Sequence, residues 1–240
     1  MKGLIIITGA SSGIGLATAK KFSEMGHPLL LLARRVEKME ALKLPQTMIR
    51  KLDVTDRESF KALVSEAEAK FGPTEAIVNN AGVMLLGEIV KQDPVEWDRM
   101  FDTNVKGLLN GVHAVVDGMI KRRHGMIINI SSIAGKKSFP KHVAYVGSKF
   151  AVHGLTENLR EELSSHNIRV TTIAPGAVAT ELLGHTTDKS IIEDYKRWGE
   201  ESKMKLLEAG DVANAIAYAF NQPEYVNIRE IVLASTQQGA

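Results

Sequence analysis

The sequence predicts an α/β fold, a doubly wound parallel sheet with helices on both faces, as a single domain over residues 1–240. Three observations predict it. Short β-branched or leucine runs alternate with longer amphipathic stretches through most of the chain. Several short runs are apolar on successive residues, as in Ile5-Ile6-Ile7 and Leu29-Leu30-Leu31-Leu32, which is how strands read when both sheet faces are buried. No linker, low-complexity tract or repeat divides the chain.

Taken in order, Leu4–Thr8 reads as a strand, Ile14–Met25 as a helix and Pro28–Ala33 as a strand. Met48–Leu52 is a short strand. A helix over Arg57–Lys70 is closed by Phe71-Gly72-Pro73, since glycine and proline punctuate helices. Ala76–Asn79 is the next strand. Pro94–Lys121 is one long helical stretch, with an interruption expected near Gly107 or Gly111. Met126–Ser131 is a strand, Val143–His166 a helix and Arg169–Ala174 a strand. A helix over Asp211–Asn221 and a strand over Ile231–Ala234 complete the pattern. Residues 184–207 break the alternation: they are polar and charged, with scattered Ile191, Ile192, Tyr195 and Trp198, and are expected to form a substrate lid.

Composition narrows the function. Lys plus Arg is 30 and Asp plus Glu is 28, a net charge of +2, so no acidic or nucleic-acid partner is indicated. The basic cluster Lys121-Arg122-Arg123-His124 is short and falls at a predicted helix end, where cations suit the dipole. The chain has no cysteine, which excludes thiolate zinc sites, iron–sulfur clusters and cysteine nucleophiles. No metal site is expected. The first apolar run, Leu4 to Ile7, is short for a signal peptide, and no run reaches the roughly 20 residues that span a bilayer. A cytoplasmic location with no membrane partner is expected.

Thr8-Gly9-Ala10-Ser11-Ser12-Gly13-Ile14-Gly15 joins the first strand to the first helix. Glycines there permit positive φ and a close backbone approach to a pyrophosphate, which the following helix N-terminus also favours. This context predicts a bound dinucleotide. The second strand ends in Leu32-Ala33-Arg34-Arg35, with two guanidiniums where an NAD-binding chain carries an acid. Arginine suits a ribose 2′-phosphate, so NADP(H) is favoured over NAD(H), with Arg34 favoured over Arg35 as its partner.

Tyr145 and Lys149 stand at i and i+4, on one face of a predicted helix. A nearby ammonium favours the phenolate, so the pair can act as a general acid or base on an alcohol or carbonyl. Asn129-Ile130-Ser131-Ser132 ends a strand 13 residues earlier, and its hydroxyl could meet the same substrate oxygen. Asn79-Asn80-Ala81-Gly82 ends another strand at the carboxyl edge of the sheet, where ligands bind. Asn104 lies inside the long helix, where asparagine is a modest helix former.

Together the glycine-rich loop, Asp53-Val54, Asn79-Asn80-Ala81-Gly82, Asn104, Ser132, Tyr145-x-x-x-Lys149 and Pro175-Gly176 resemble, in order and spacing, the classical short-chain dehydrogenases/reductases. The resemblance implies a Rossmann-type fold and an NAD(P)-dependent oxidoreductase. It implies that Tyr145 exchanges a proton with the substrate oxygen and that Ser132 polarises that oxygen. Lys149 would lower the tyrosine pKa and bond the nicotinamide ribose, and Asn104 would anchor a water of a proton relay. Asp53 and Val54 would flank the adenine, and Asn80 would meet the adenosine side by its backbone. Pro175, Gly176, Val178 and Thr180 would line the nicotinamide. A homotetramer (or homodimer) is expected, with Phe101–Val116, Val146–Leu163 and the Glu230–Ala234 edge strand between subunits. Two other readings stand beside this one: an NADP(H)-sensing binding protein on the same fold, and an NAD-preferring dehydrogenase.

Candidate substrate contacts are Met84 to Leu86, Ile133, Ala134, Gly135, Phe139, His142 and residues 184–207. Tyr195 and Trp198 are expected to pack the insertion onto the body. Aromatic residues make up only 5%, so no broad aromatic slot is expected. The expected substrate is a small polar carbonyl or alcohol. Val36-Glu37-Lys38-Met39 and the Val226–Leu233 tail resemble members acting on small hydroxy acids or related aldehydes.

Overall fold

The computed structural model describes residues 2–239; Met1 and Ala240, the two ends of the expected domain, lie outside the described residues. Seven parallel strands form one sheet: β1 (Leu4–Thr8), β2 (Leu29–Ala33), β3 (Thr47–Lys51), β4 (Thr74–Asn79), β5 (Gly125–Ile130), β6 (Ile168–Pro175) and β7 (Glu230–Leu233). Their order is β3-β2-β1-β4-β5-β6-β7. The order reverses between β1 and β4, which opens a crevice at the carboxyl ends of the strands.

The helices are α1 (Gly13–Glu24), α2 (Glu37–Glu40), α3 (Arg57–Phe71), α4 (Pro94–Phe101), α5 (Gly107–Arg122), α6 (Val143–Ser164), α7 (Lys189–Glu201) and α8 (Ala209–Phe220). Strand side chains alternate between two cores. Leu4, Ile6, Leu30 and Leu32 pack against Phe60 and Val64 of α3, Val112 of α5 and Val152 of α6. Ile5, Ile7, Leu29 and Leu31 pack against Phe22 of α1 and Val212, Ile216 and Phe220 of α8. Burial on both faces is why these strands read as unbroken apolar runs.

Local chemistry sets the helix ends. Asp56 caps α3 by accepting from the Ser59 N–H at 3.0 Å, and Gly72 (φ +87°) ends it. Asp93 caps α4, with Pro94 in its first turn. The interruption expected near Gly107 or Gly111 is a π turn over Asp102–Lys106, directly before Gly107. Its cause is not the glycines. Gly107 and Gly111 let α5 pack closely on Val54 and Asn79, whereas the turn holds Asn104, whose side chain reaches back to Val83.

The sequence reading passes over α2, a single turn that buries Met39. It treats 184–207 as one insertion. The structure shows a 3₁₀ turn over Glu181–His185, then α7 behind an Asp188 cap, then a return bridged by Val178 and Leu207. Among the described residues of α7 only Ile191 is buried. Among the described residues no helix is long and apolar enough to cross a membrane, and no cluster of His, Asp or Glu could hold a metal ion.

Candidate active site

A cleft of about 820 Å³ opens above the carboxyl ends of β1, β2, β4, β5 and β6. Its walls bring together Gly9, Ser11, Ser12, Gly13 and Ile14, Arg34 and Arg35, Asp53 and Val54, Asn80 to Gly82, and Pro175, Gly176, Val178 and Thr180. Gly9 (φ +64°) and Gly13 (φ +51°) need the left-handed region. A side chain at Gly9 would come within 2.9 Å of the Ala81 backbone, and one at Gly13 within 2.9 Å of the Thr180 methyl. Gly15 stands behind the cleft wall: a side chain there would strike the Gly9 carbonyl, so it serves the packing of α1 on the turn rather than contact with a ligand.

The turn is tied down from β4. Thr8 Oγ1 accepts from the N–H groups of Asn80 and Ala81, both at 3.0 Å. Asn80 Nδ2 donates to the carbonyls of Thr8 (3.0 Å) and Gly9 (3.3 Å), so the side chain is spent on the turn. Among the described residues no side chain caps the first turn of α1, and no acid lies in it. Free N–H groups on a glycine cradle, with two arginines beside them, fit a dinucleotide pyrophosphate and an added ribose phosphate.

The two arginines differ. Arg35 donates to Glu181 Oε2 at 2.8 Å and to Ser12 Oγ at 2.9 Å. Arg34 stands on the rim between the main cleft and an adjoining cavity of about 360 Å³. Asp53 turns its carboxylate back to Thr55, accepting from its N–H at 3.0 Å and its hydroxyl at 2.8 Å.

On α6, Tyr145 and Lys149 lie one turn apart, 5% and 7% exposed. Lys149 Nζ donates to the Ile130 carbonyl at 3.0 Å and lies 5.8 Å from the centre of the Tyr145 ring. Ser132 follows β5, and its Oγ accepts from the Ala134 N–H at 3.1 Å. Burial pushes the Tyr145 phenol above its ordinary pKa, and the facing Ser132 hydroxyl offsets this only in part. Burial also lowers Lys149 to about 8. Each shift is set by the group's own burial, with Ser132 the opposing influence on Tyr145.

Asn104 does not line the cleft. Its Oδ1 accepts from the Val83 N–H at 2.8 Å, and its Nδ2 donates to the Val83 carbonyl and Ser148 Oγ, both at 3.0 Å. Ser148 in turn donates to the Tyr145 carbonyl at 2.8 Å. The side chain thus braces the loop after β4 against α6.

Several site residues escape a sequence reading. Behind Lys149, His153 meets Ser131 Oγ at 2.9 Å and Glu230 Oε1 at 2.9 Å, joining α6 and β5 to β7. The signal was a histidine four residues after Lys149, on the same helix face. Gln238 Oε1 accepts from the Ala177 N–H at 3.0 Å and steadies the loop after β6. The expected absence of an aromatic slot is corrected. Phe139, His142, Tyr145, Tyr195 and Trp198 all line the cleft; the His142 ring centre lies 5.6 Å from Phe139, 6.3 Å from Tyr145 and 6.5 Å from Tyr195, and Tyr195 lies 5.4 Å from Trp198. A chain-wide 5% hides this local concentration. Tyr195 packs against the body as expected, whereas Trp198 is 41% exposed.

Known proteins share this arrangement. The family model for short chain dehydrogenase matches residues 3–190. An uncharacterized oxidoreductase of Staphylococcus saprophyticus is 39% identical over 98% of this chain and 96% of its own. A glycine betaine reductase of Emericella nidulans is 41% identical over 95% of this chain, which corresponds to 18% of that protein. Among solved structures, the closed form of a serine dehydrogenase complexed with NADP+ superposes with a TM-score of 0.91 at 31% identity, covering 99% of this chain and 96% of that one. A Thermococcus sibiricus alcohol dehydrogenase complexed with 5-hydroxy-NADP gives 0.86 at 26% identity, covering 100% and 99%. On the strength of the family match and of relatives aligned over nearly its full length, the chain belongs to the short-chain dehydrogenases.

Proposed function

We propose that the chain is an NADP-dependent oxidoreductase acting on a small carbonyl or alcohol, with Ser132, Tyr145 and Lys149 as its catalytic residues and Asn104 as their brace. The observation that carries this reading is that those three side chains meet on the wall of the cleft that also holds the uncapped glycine-rich turn. When bound, the nicotinamide supplies or accepts the hydride.

The chain's own residues handle the proton. Ser132 Oγ already accepts from Ala134, so its hydrogen is free to be donated to a substrate oxygen. The Tyr145 phenol, raised by burial, is protonated at neutral pH and is the group placed to exchange a proton with that oxygen. Lys149, at about 8, can take or return a proton beside it. A buried setting strengthens each of these interactions.

Finer parts of the reading rest on further observations. The free rim position of Arg34 supports NADP over NAD. The polar, outward-facing α7, with Tyr195 and Trp198 over the cleft, supports a lid at 184–207. Exposed Phe101, Leu109 and Phe150 on α4 to α6 support subunit contacts in a homotetramer. The aromatic end of the cleft suits a substrate whose carbonyl adjoins a short apolar or cationic group. Lack of any membrane-spanning helix among the described residues is compatible with a cytoplasmic enzyme.

Side-by-side assays with NADPH and NADH against small aldehydes, ketones and keto acids test the proposal. NADPH should be the better reductant by roughly tenfold or more in kcat/KM, about 1.4 kcal/mol. Arg34→Ala should narrow that gap, the remainder being the share that Arg35 supplies. Equal use of NADH points to an NAD dehydrogenase, and tight NADPH binding without turnover across the panel points to a redox sensor.

A further inference from the structure

The guanidinium nearest the glycine-rich turn is already occupied by an anion of the chain itself. Arg35 Nη1 donates to Glu181 Oε2 at 2.8 Å, while its Nη2 donates to Ser12 Oγ at 2.9 Å and to Ser11 Oγ at 3.4 Å. Lys38 Nζ donates to the other carboxylate oxygen, Oε1, at 2.6 Å. One carboxylate therefore joins three walls of the cleft. Ser11 and Ser12 belong to the turn after β1, Arg35 and Lys38 to the segment after β2, and Glu181 to the 3₁₀ turn that leads into 184–207. Lys38, then Arg35, hold the Glu181 carboxyl down at about 2, so it is charged at any working pH.

We infer that Glu181 is a coenzyme-specificity residue, a built-in competitor that a ribose 2′-phosphate must displace from Arg35 and Lys38. The inference rests on the NADP reading above. A carboxylate brings one charge and two oxygens. A phosphate monoester brings nearly two charges and three oxygens. Glu181, Arg35 and Lys38 are each about half exposed, which makes the ion pairs weak enough to exchange. A ribose without phosphate has nothing to offer either cation and leaves Glu181 where it is. Only the phosphorylated coenzyme then frees the Glu181–His185 turn from the segment after β2.

Binding of adenosine 2′,5′-bisphosphate and adenosine 5′-phosphate, measured by calorimetry on wild type and Glu181→Gln, tests this without turnover. Wild type should prefer the bisphosphate. Glu181→Gln should bind the bisphosphate roughly three- to tenfold more tightly and the monophosphate within about twofold of wild type. A gain of affinity is not what damage to the fold produces, and the monophosphate arm reports on that damage separately. An unchanged bisphosphate affinity in the variant, or an equal gain for both ligands, overturns the inference. A wild type that binds both ligands equally refutes the NADP reading instead.

Discussion

The wall and the flap of the cleft follow opposite rules. The wall, made by the turn after β1, the end of β5 and α6, is buried and braced from behind. Tyr145 and Lys149 are almost wholly enclosed, and Asn104, Ser148 and His153 each make two or more hydrogen bonds that fix their backbone. The flap, Glu181 to Leu207, shows buried Ile191, Thr186 and Met204 among mostly exposed polar residues. It is tied to the body by a few buried contacts, Thr186 to Met84 and Leu86 and Ile191 in the apolar cluster with Tyr145, and by half-exposed ion pairs, Glu181 with Arg35 and Asp194 with Lys141. On the proposed reading, a site built this way would keep its proton chemistry in a fixed, dry place and leave selection to the more exposed part.

Lys149→Met breaks the wall and should have a large effect. Removal of a general acid–base partner is expected to lower kcat by about two orders of magnitude or more. Stability should move the other way. The folded pKa, about 8, lies below the unfolded value near 10.5, so the unfolded chain binds more protons between them. Wild-type stability should thus rise with pH from 8 to 10.5, and the charged form costs up to roughly 3 kcal/mol below pH 8. Loss of the bond to Ile130 offsets about 1 kcal/mol of the gain from removing that charge. Denaturant titrations at pH 7 and pH 10 should show the variant more stable at pH 7 and level with wild type at pH 10. A wild-type stability that does not change over that range would mean that Lys149 is solvated.

Trp198→Ala probes the flap and should do less. Trp198 is 41% exposed, so stability should change by less than about 1 kcal/mol. KM for the carbonyl substrate should rise a few-fold while NADPH affinity stays put. A matching loss of NADPH affinity would erase the distinction between wall and flap.

The same contrast explains what could be read from the sequence. The strands and the glycine turn were legible because sterics allow few residues at Gly9 and Gly13, and because burial on both faces writes itself as apolar runs; the order of the strands in the sheet was not. That Tyr145 and Lys149 share one face was legible from helix spacing, but their reading as a catalytic pair came from the order and spacing of all the motifs together. The Asn104 turn was not legible, since it depends on Val83, 21 residues away. Glu181 was hidden for the same reason, its partner Arg35 lying 146 residues earlier. The raised Tyr145 pKa depends on enclosure, which spacing does not reveal.

The central claim is that Tyr145 gives the substrate its proton from a wall that binds coenzyme without it. Tyr145→Phe tests it most directly, with NADPH affinity and NADPH oxidation measured on the same preparation. The account predicts NADPH affinity within about twofold of wild type and turnover reduced by roughly a thousandfold. A variant that still turns over at the wild-type rate would contradict it.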